Sequence, residues 1–76
     1  MDQELTLLPD GDRVLAAAPE AIVSIEVYDL QGRRVAAAVT IDGTTATADL
    51  SVLPAGIYIV RAATDTAART LRAVRR

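Results

Sequence analysis

The stretch Asp49-Leu50-Ser51-Val52-Leu53-Pro54-Ala55-Gly56-Ile57-Tyr58-Ile59-Val60-Arg61 decides the fold class of this chain. A polar turn and a Pro-Ala-Gly corner launch a strand. From Ile57 to Ala63 the strand is apolar on both faces, which marks a central strand rather than a half-solvated one. Pro54 cannot donate to a ladder, and Gly56 tolerates the backbone angles that a corner requires. For Tyr58 two roles stay open, a recognition epitope or a core side chain, and a tyrosine inside an apolar strand is more often core.

The same alternation extends outward on both sides. Glu4 to Leu8 reads as a first strand, closed by the turn Pro9-Asp10-Gly11-Asp12. Arg13 to Ala18 is a second, stopped at Pro19. Ile22 to Tyr28 is the clearest strand, with Val23, Ile25 and Val27 on one face and Ser24 and Glu26 on the other. Leu30-Gln31-Gly32-Arg33 makes a tight turn, and the chain returns along Arg34 to Ile41, where Val35, Ala37, Val39 and Ile41 share a face. Asp42-Gly43 is a two-residue hairpin signal. Thr44 to Leu50 follows with Ala46, Ala48 and Leu50 inward. Thr64-Asp65-Thr66-Ala67 turns into a last strand from Ala68 to about Arg75. Alanine favours helices, but Thr, Val and Ile flank both alanine runs, and neither run reaches a stable helix length. Short connections and about seven strands predict an all-β, immunoglobulin-like antiparallel β-sandwich, a single domain over residues 1–76.

Composition removes most chemistry. The chain has no histidine and no cysteine, so there is no imidazole to activate Ser24 or Ser51 and no thiol nucleophile. No catalytic residue, cofactor or metal ligand is expected. Asp10 and Asp12 flank Gly11, but two carboxylates in one turn fall well short of the roughly six oxygen ligands that calcium takes. A net charge of −2 argues against nucleic acid as a partner. No apolar run approaches the roughly 20 residues of a membrane helix, so direct membrane insertion is not expected either. Met1 is followed by Asp2 and Glu4, without a basic or an apolar leader region, so no signal peptide is expected in this stretch; export would use an upstream region or another route. Phe and Trp are absent, which makes Tyr28 and Tyr58 the expected core anchors. Arginines collect late, at Arg69, Arg72, Arg75 and Arg76, as a docking strand or as a strand edge guarded by charge. A monomer is expected.

Val27-Tyr28-Asp29-Leu30-Gln31-Gly32-Arg33-Arg34-Val35, then Asp49-Leu50-Ser51, then Leu53-Pro54-Ala55-Gly56-Ile57-Tyr58-Ile59-Val60 resembles the C-terminal sorting domain of type IX secretion cargo in Bacteroidota. Asp10-Gly11-Asp12-Arg13-Val14-Leu15-Ala16-Ala17-Ala18-Pro19-Glu20 looks like the opening strands of the same family, so the resemblance covers nearly the whole chain. It implies an immunoglobulin-like sandwich that the outer-membrane translocon recognises and a sortase-like cysteine peptidase removes. The protein would pass through the periplasm to the cell surface or the medium. The domain would be a substrate and a ligand, not an enzyme.

By that resemblance Tyr28, Asp29 and Gly32 stand at the family's Tyr-Asp-x-x-Gly turn, Asp49 and Leu50 at its central block, and Gly56 and Tyr58 at its Gly-x-Tyr motif. Arg72, Arg75 and Arg76 take the places of the family's spaced terminal lysines and are the candidates for translocon docking. Arginine keeps the charge but is a planar fork rather than a point charge. Ala67 stands where a glycine is usual. Asp65-Thr66-Ala67 is similar to a short Bacteroidota O-glycosylation pattern. The rival expectation is an immunoglobulin-like structural or interaction module, natural or designed, with no sorting role.

Overall fold

The two-residue hairpin loop is Gly43-Thr44, one residue later than the Asp42-Gly43 signal, because Asp42 itself pairs with Thr45, and the Gly32 turn likewise makes its flanks strand partners. In the computed structural model, which describes residues 4–76, these and the other turns separate eight strands, with no helix among the described residues. In chain order they are β1 (Thr6–Asp10), β2 (Arg13–Ala17), β3 (Ile22–Asp29), β4 (Arg34–Val35), β5 (Ala38–Asp42), β6 (Thr45–Asp49), β7 (Gly56–Thr64) and β8 (Ala68–Arg75). One sheet has the order β1-β2-β6-β5 and the other β4-β3-β7-β8. All ladders are antiparallel. Lettered in sequence, this is the A-B-E-D sheet of an immunoglobulin domain facing a C-F-G sheet that has gained one edge strand.

That added strand corrects the expected count. Residues 34–41, expected as one strand, are split between the two sheets. The Gly32 turn places Arg34 opposite Tyr28 and so binds β4 to β3. The Gly43-Thr44 turn places Asp42 opposite Thr45 and so binds β5 to β6. Because β3 and β6 belong to different sheets, the chain must cross between Val35 and Ala38. Val39 and Ile41 point, like Val35, to the space between the sheets but from the opposite sheet, and on that edge strand they stay 45% and 42% exposed.

Two other expectations shift for local reasons. The first strand begins later than Glu4 and runs through Pro9, which pairs with Val14; β1 is an edge strand, where a missing N–H can face outward. Val23 was expected inward with Ile25 and Val27, yet it is 55% exposed. The β3–β7 register shifts between Ile22 and Ser24, a bulge that turns Ile22 rather than Val23 into the core.

Val14, Val27, Leu50 and Val60 are the largest fully buried side chains, and Ala16, Ala46, Ala48 and Ala62 fill the space between them. Small residues on the inner faces of β2 and β6 let the sheets approach closely. Tyr58 supplies the core's one aromatic ring among the described residues, buried at 7% exposure. Tyr28 does not join it. It lies half-buried on the outer side of its sheet, and its hydroxyl donates to Glu26 Oε1 at 2.8 Å.

Candidate functional site

The residues of the sequence motifs form two turns at one end of the sandwich. At the β3–β4 turn the Asp29 carboxylate accepts the amides of Gln31 and Arg33, both at 2.9 Å, and Arg33 Nε at 3.1 Å. The Arg33 amide above all holds this carboxyl below its ordinary value of 3.8. Gly32 takes φ of 85°, a left-handed angle that side chains resist. The spacing of Tyr28, Asp29 and Gly32 is thus the spacing of one self-bonded turn.

The second turn connects β6 to β7. Asp49 accepts the Ser51 amide at 3.0 Å, and hydrogen bonds from Ser51 lower its pKa. Leu50 donates its amide to the Asp12 carbonyl at 2.8 Å and buries its side chain, pinning this connection to the β1–β2 turn. Gly56 has φ of 158°, in a region that non-glycine residues rarely enter, and the Tyr58 ring lies over it. The Tyr58 hydroxyl donates to the Pro54 carbonyl at 2.7 Å. A tyrosine at the start of this strand bonded back to the preceding corner is the tyrosine corner of immunoglobulin-like sandwiches. The ladder sets Asp29 opposite Tyr58, so the two motif blocks meet across β3 and β7.

The arginines of β8 do not act as one group. Side chains alternate along a strand, so Arg72 lies with Val74 on the outer side while Arg75 lies with Leu71 and Ala73 on the inner side. Arg75 turns back on the protein. Its Nη1 stands 3.9 Å from Asp12 and its Nη2 donates to the Ser51 carbonyl at 3.3 Å. Its Nε is buried without a partner. Arg72 and Arg76 are exposed and make no ion pair among the described residues. They line a groove of about 470 Å³ with Pro9, Gly11 and Asp12, along the outer edge of β8. Residue parity already separated Arg75 from Arg72 and Arg76 in the sequence, and it is the signal that the grouping by charge overlooked.

The remaining motifs serve the fold. Thr66 donates its hydroxyl to Glu20, as does Thr64 at 2.6 Å, and these bonds lower the Glu20 pKa. The Thr64 hydroxyl also accepts the Ala67 amide at 3.1 Å, and among the described residues only glycines have positive φ, so this turn works without the usual glycine. No group of His, Cys, Asp or Glu among the described residues could hold a metal ion. No helix among them is long and apolar enough to cross a membrane.

The model of one protein family, the secretion system C-terminal sorting domain, matches residues 9–74, from the first strand to the next-to-last residue of β8. The chain belongs to that family. No curated protein matches it. The sorting domain of type IX cargo is a signal, not an enzyme family, and its partners are proteins of the secretion machinery. Membership associates the chain with export across the outer membrane.

Proposed function

We propose that this sorting domain carries cargo to the type IX translocon by presenting β8, and that a sortase-like peptidase then separates it from the cargo for surface anchoring. The match over residues 9–74 carries this reading. Arg72 and Arg76 contact the translocon, and Arg75 holds the strand that presents them. Tyr28, Asp29, Gly32, Asp49, Leu50, Gly56 and Tyr58 build the rigid sandwich behind it. The domain catalyses nothing itself, works as a monomer, and lies as a single unit over residues 1–76.

A structural module with no sorting role would keep the same tyrosine corner, because Tyr58 and Asp29 are both spent on intramolecular bonds. Fusion to the C-terminus of a periplasmic reporter in a type IX-competent bacterium separates the two. The reporter is expected at the cell surface; a folded fusion that stays periplasmic would leave the structural module standing. Deleting residues 71–76 is a poor test, since it removes Ala73 from the core together with Arg75. Arg72→Ala with Arg76→Ala removes the charges and leaves the strand.

A further inference from the structure

The outer side of the β4-β3-β7-β8 sheet carries an ordered cross-strand row: Arg34 opposite Tyr28, Tyr28 opposite Ile59, and Ile59 opposite Arg72. On one side of it Glu26 stands opposite Arg61. On the other, Ile57 stands opposite Val74, at 37% and 51% exposure. An apolar centre of Tyr28, Ile57, Ile59 and Val74 is therefore flanked by arginines. Glu26 is already engaged by the Tyr28 hydroxyl and by Arg34 at 3.7 Å, while Arg61 and Arg72 make no ion pair among the described residues.

Guarding of a sheet edge accounts for Arg34 and Arg72, on the edge strands β4 and β8, but not for the rest of the row. Arg61 and Ile59 lie on β7 and Tyr28 on β3, both interior strands with no open edge at those residues. Nor is the charge of the row a general property of the surface. The outer side of the opposite sheet also has an apolar pair, exposed Leu8 opposite Leu15, but surrounds it with Asp10, Asp42 and Asp49 against Arg13, set among Thr40, Thr45 and Thr47. The two faces differ in sign on a chain whose net charge is −2.

We propose that the face centred on Ile59 is a docking surface for a protein partner that offers carboxylates around an apolar patch. Resting on the sorting reading above, this partner is a component of the export machinery. Charge complementarity selects an acidic surface, and an aromatic and aliphatic centre ringed by arginine is the residue usage of protein interfaces. Arginine suits the task because its planar fork pairs with two carboxylate oxygens at once. Docking reaches from β8 across the sheet to Arg34, beyond the terminal arginines.

The test compares reporter fusions in the type IX-competent bacterium. R34E/R72E is expected to cut surface reporter by about tenfold or more. R34Q/R72Q is expected to fall between it and the parent. L8E/T40E lowers net charge as much as R34Q/R72Q but does so on the opposite face, and is expected to export like the parent. Thermal unfolding of each purified domain identifies a variant that fails to fold, and R34Q/R72Q keeps the comparison open if R34E/R72E does. Parent-level export by the folded R34E/R72E or R34Q/R72Q fusion would overturn the docking face while leaving the sorting reading intact. A parent fusion that stays periplasmic would overturn both. If purified parent domain sediments with phosphatidylglycerol vesicles and R34E/R72E does not, the face belongs to a membrane and the protein partner is wrong.

Discussion

Asp29 and Tyr58 face each other across the β3–β7 ladder, each bonded to its own turn: Asp29 to the amides of Gln31 and Arg33, Tyr58 to the Pro54 carbonyl. The two most diagnostic blocks of the sequence are thus one piece of structure. Family identity at these positions follows from what an immunoglobulin-like sandwich needs at a strand turn and at a corner. Asp29 and Tyr58 themselves spend their polar atoms on the fold, while Tyr28, Arg34, Ile57 and Ile59 of the same blocks face outward.

Removing the Tyr58 hydroxyl tests the corner. Tyr58→Phe keeps the ring over Gly56 but leaves the Pro54 carbonyl without its donor, and it should cost about 1 kcal/mol in denaturant unfolding. Wild-type stability in Tyr58→Phe would mean that the hydrogen bond contributes nothing net.

Leu50 combines a buried side chain with the link to the β1–β2 turn. Leu50→Ala should destabilise by about 2–5 kcal/mol, the cost of a large-to-small change in a closed core. In a domain this small such a loss is a large share of the total stability. A shift of the urea midpoint at unchanged slope is the expected signature.

Arg75 and Arg72 should separate cleanly. Arg75→Ala removes the contacts to Asp12 and Ser51 and the packing of its stem, and should cost about 1 kcal/mol. Arg72→Ala, on the solvent side, should stay within about 0.5 kcal/mol. Paired thermal melts decide it, and equal losses would contradict the alternation of β8.

Acid should weaken the sandwich through particular carboxylates. Asp29, Asp49 and Glu20 all have folded pKa values below their ordinary ones, because amides and hydroxyls bond the charged form. A lowered folded value means that the unfolded chain binds protons first. The stabilisation is then complete above the ordinary carboxylate range and disappears as pH falls through the folded values. The melting temperature should therefore hold from neutrality down to about pH 5 and decline below it. Asp29→Asn should flatten part of that decline. Tyr28 runs the other way: its bond to Glu26 raises it above 10.0, so its contribution is present below that value and lost in strong alkali.

Alternation and turn chemistry were enough to place most of the fold. The inward positions Ala46, Ala48 and Leu50, the Gly32 turn, the hairpin at Gly43 to within one residue, and the extent of β8 follow from local rules. The family is legible for the same reason, since its motifs are local turns. What a period of two cannot carry is the identity of the sheet. Residues 34–42 alternate without interruption, yet they change sheets because the turns on either side are tied to strands in different layers. Nor can it reveal a bulge, so Ile22 and Val23 exchanged sides; it does group Tyr28 with Ser24 and Glu26 on the outer face, which the expectation of two core tyrosines, made from ring volume, overlooked. For the arginines, parity already puts Arg75 on the other side of β8 from Arg72, but only the packed sandwich supplies their neighbours, Asp12 and Ser51 for Arg75 and the row of Ile59, Tyr28 and Arg34 for Arg72, because those come from strands far apart in the chain.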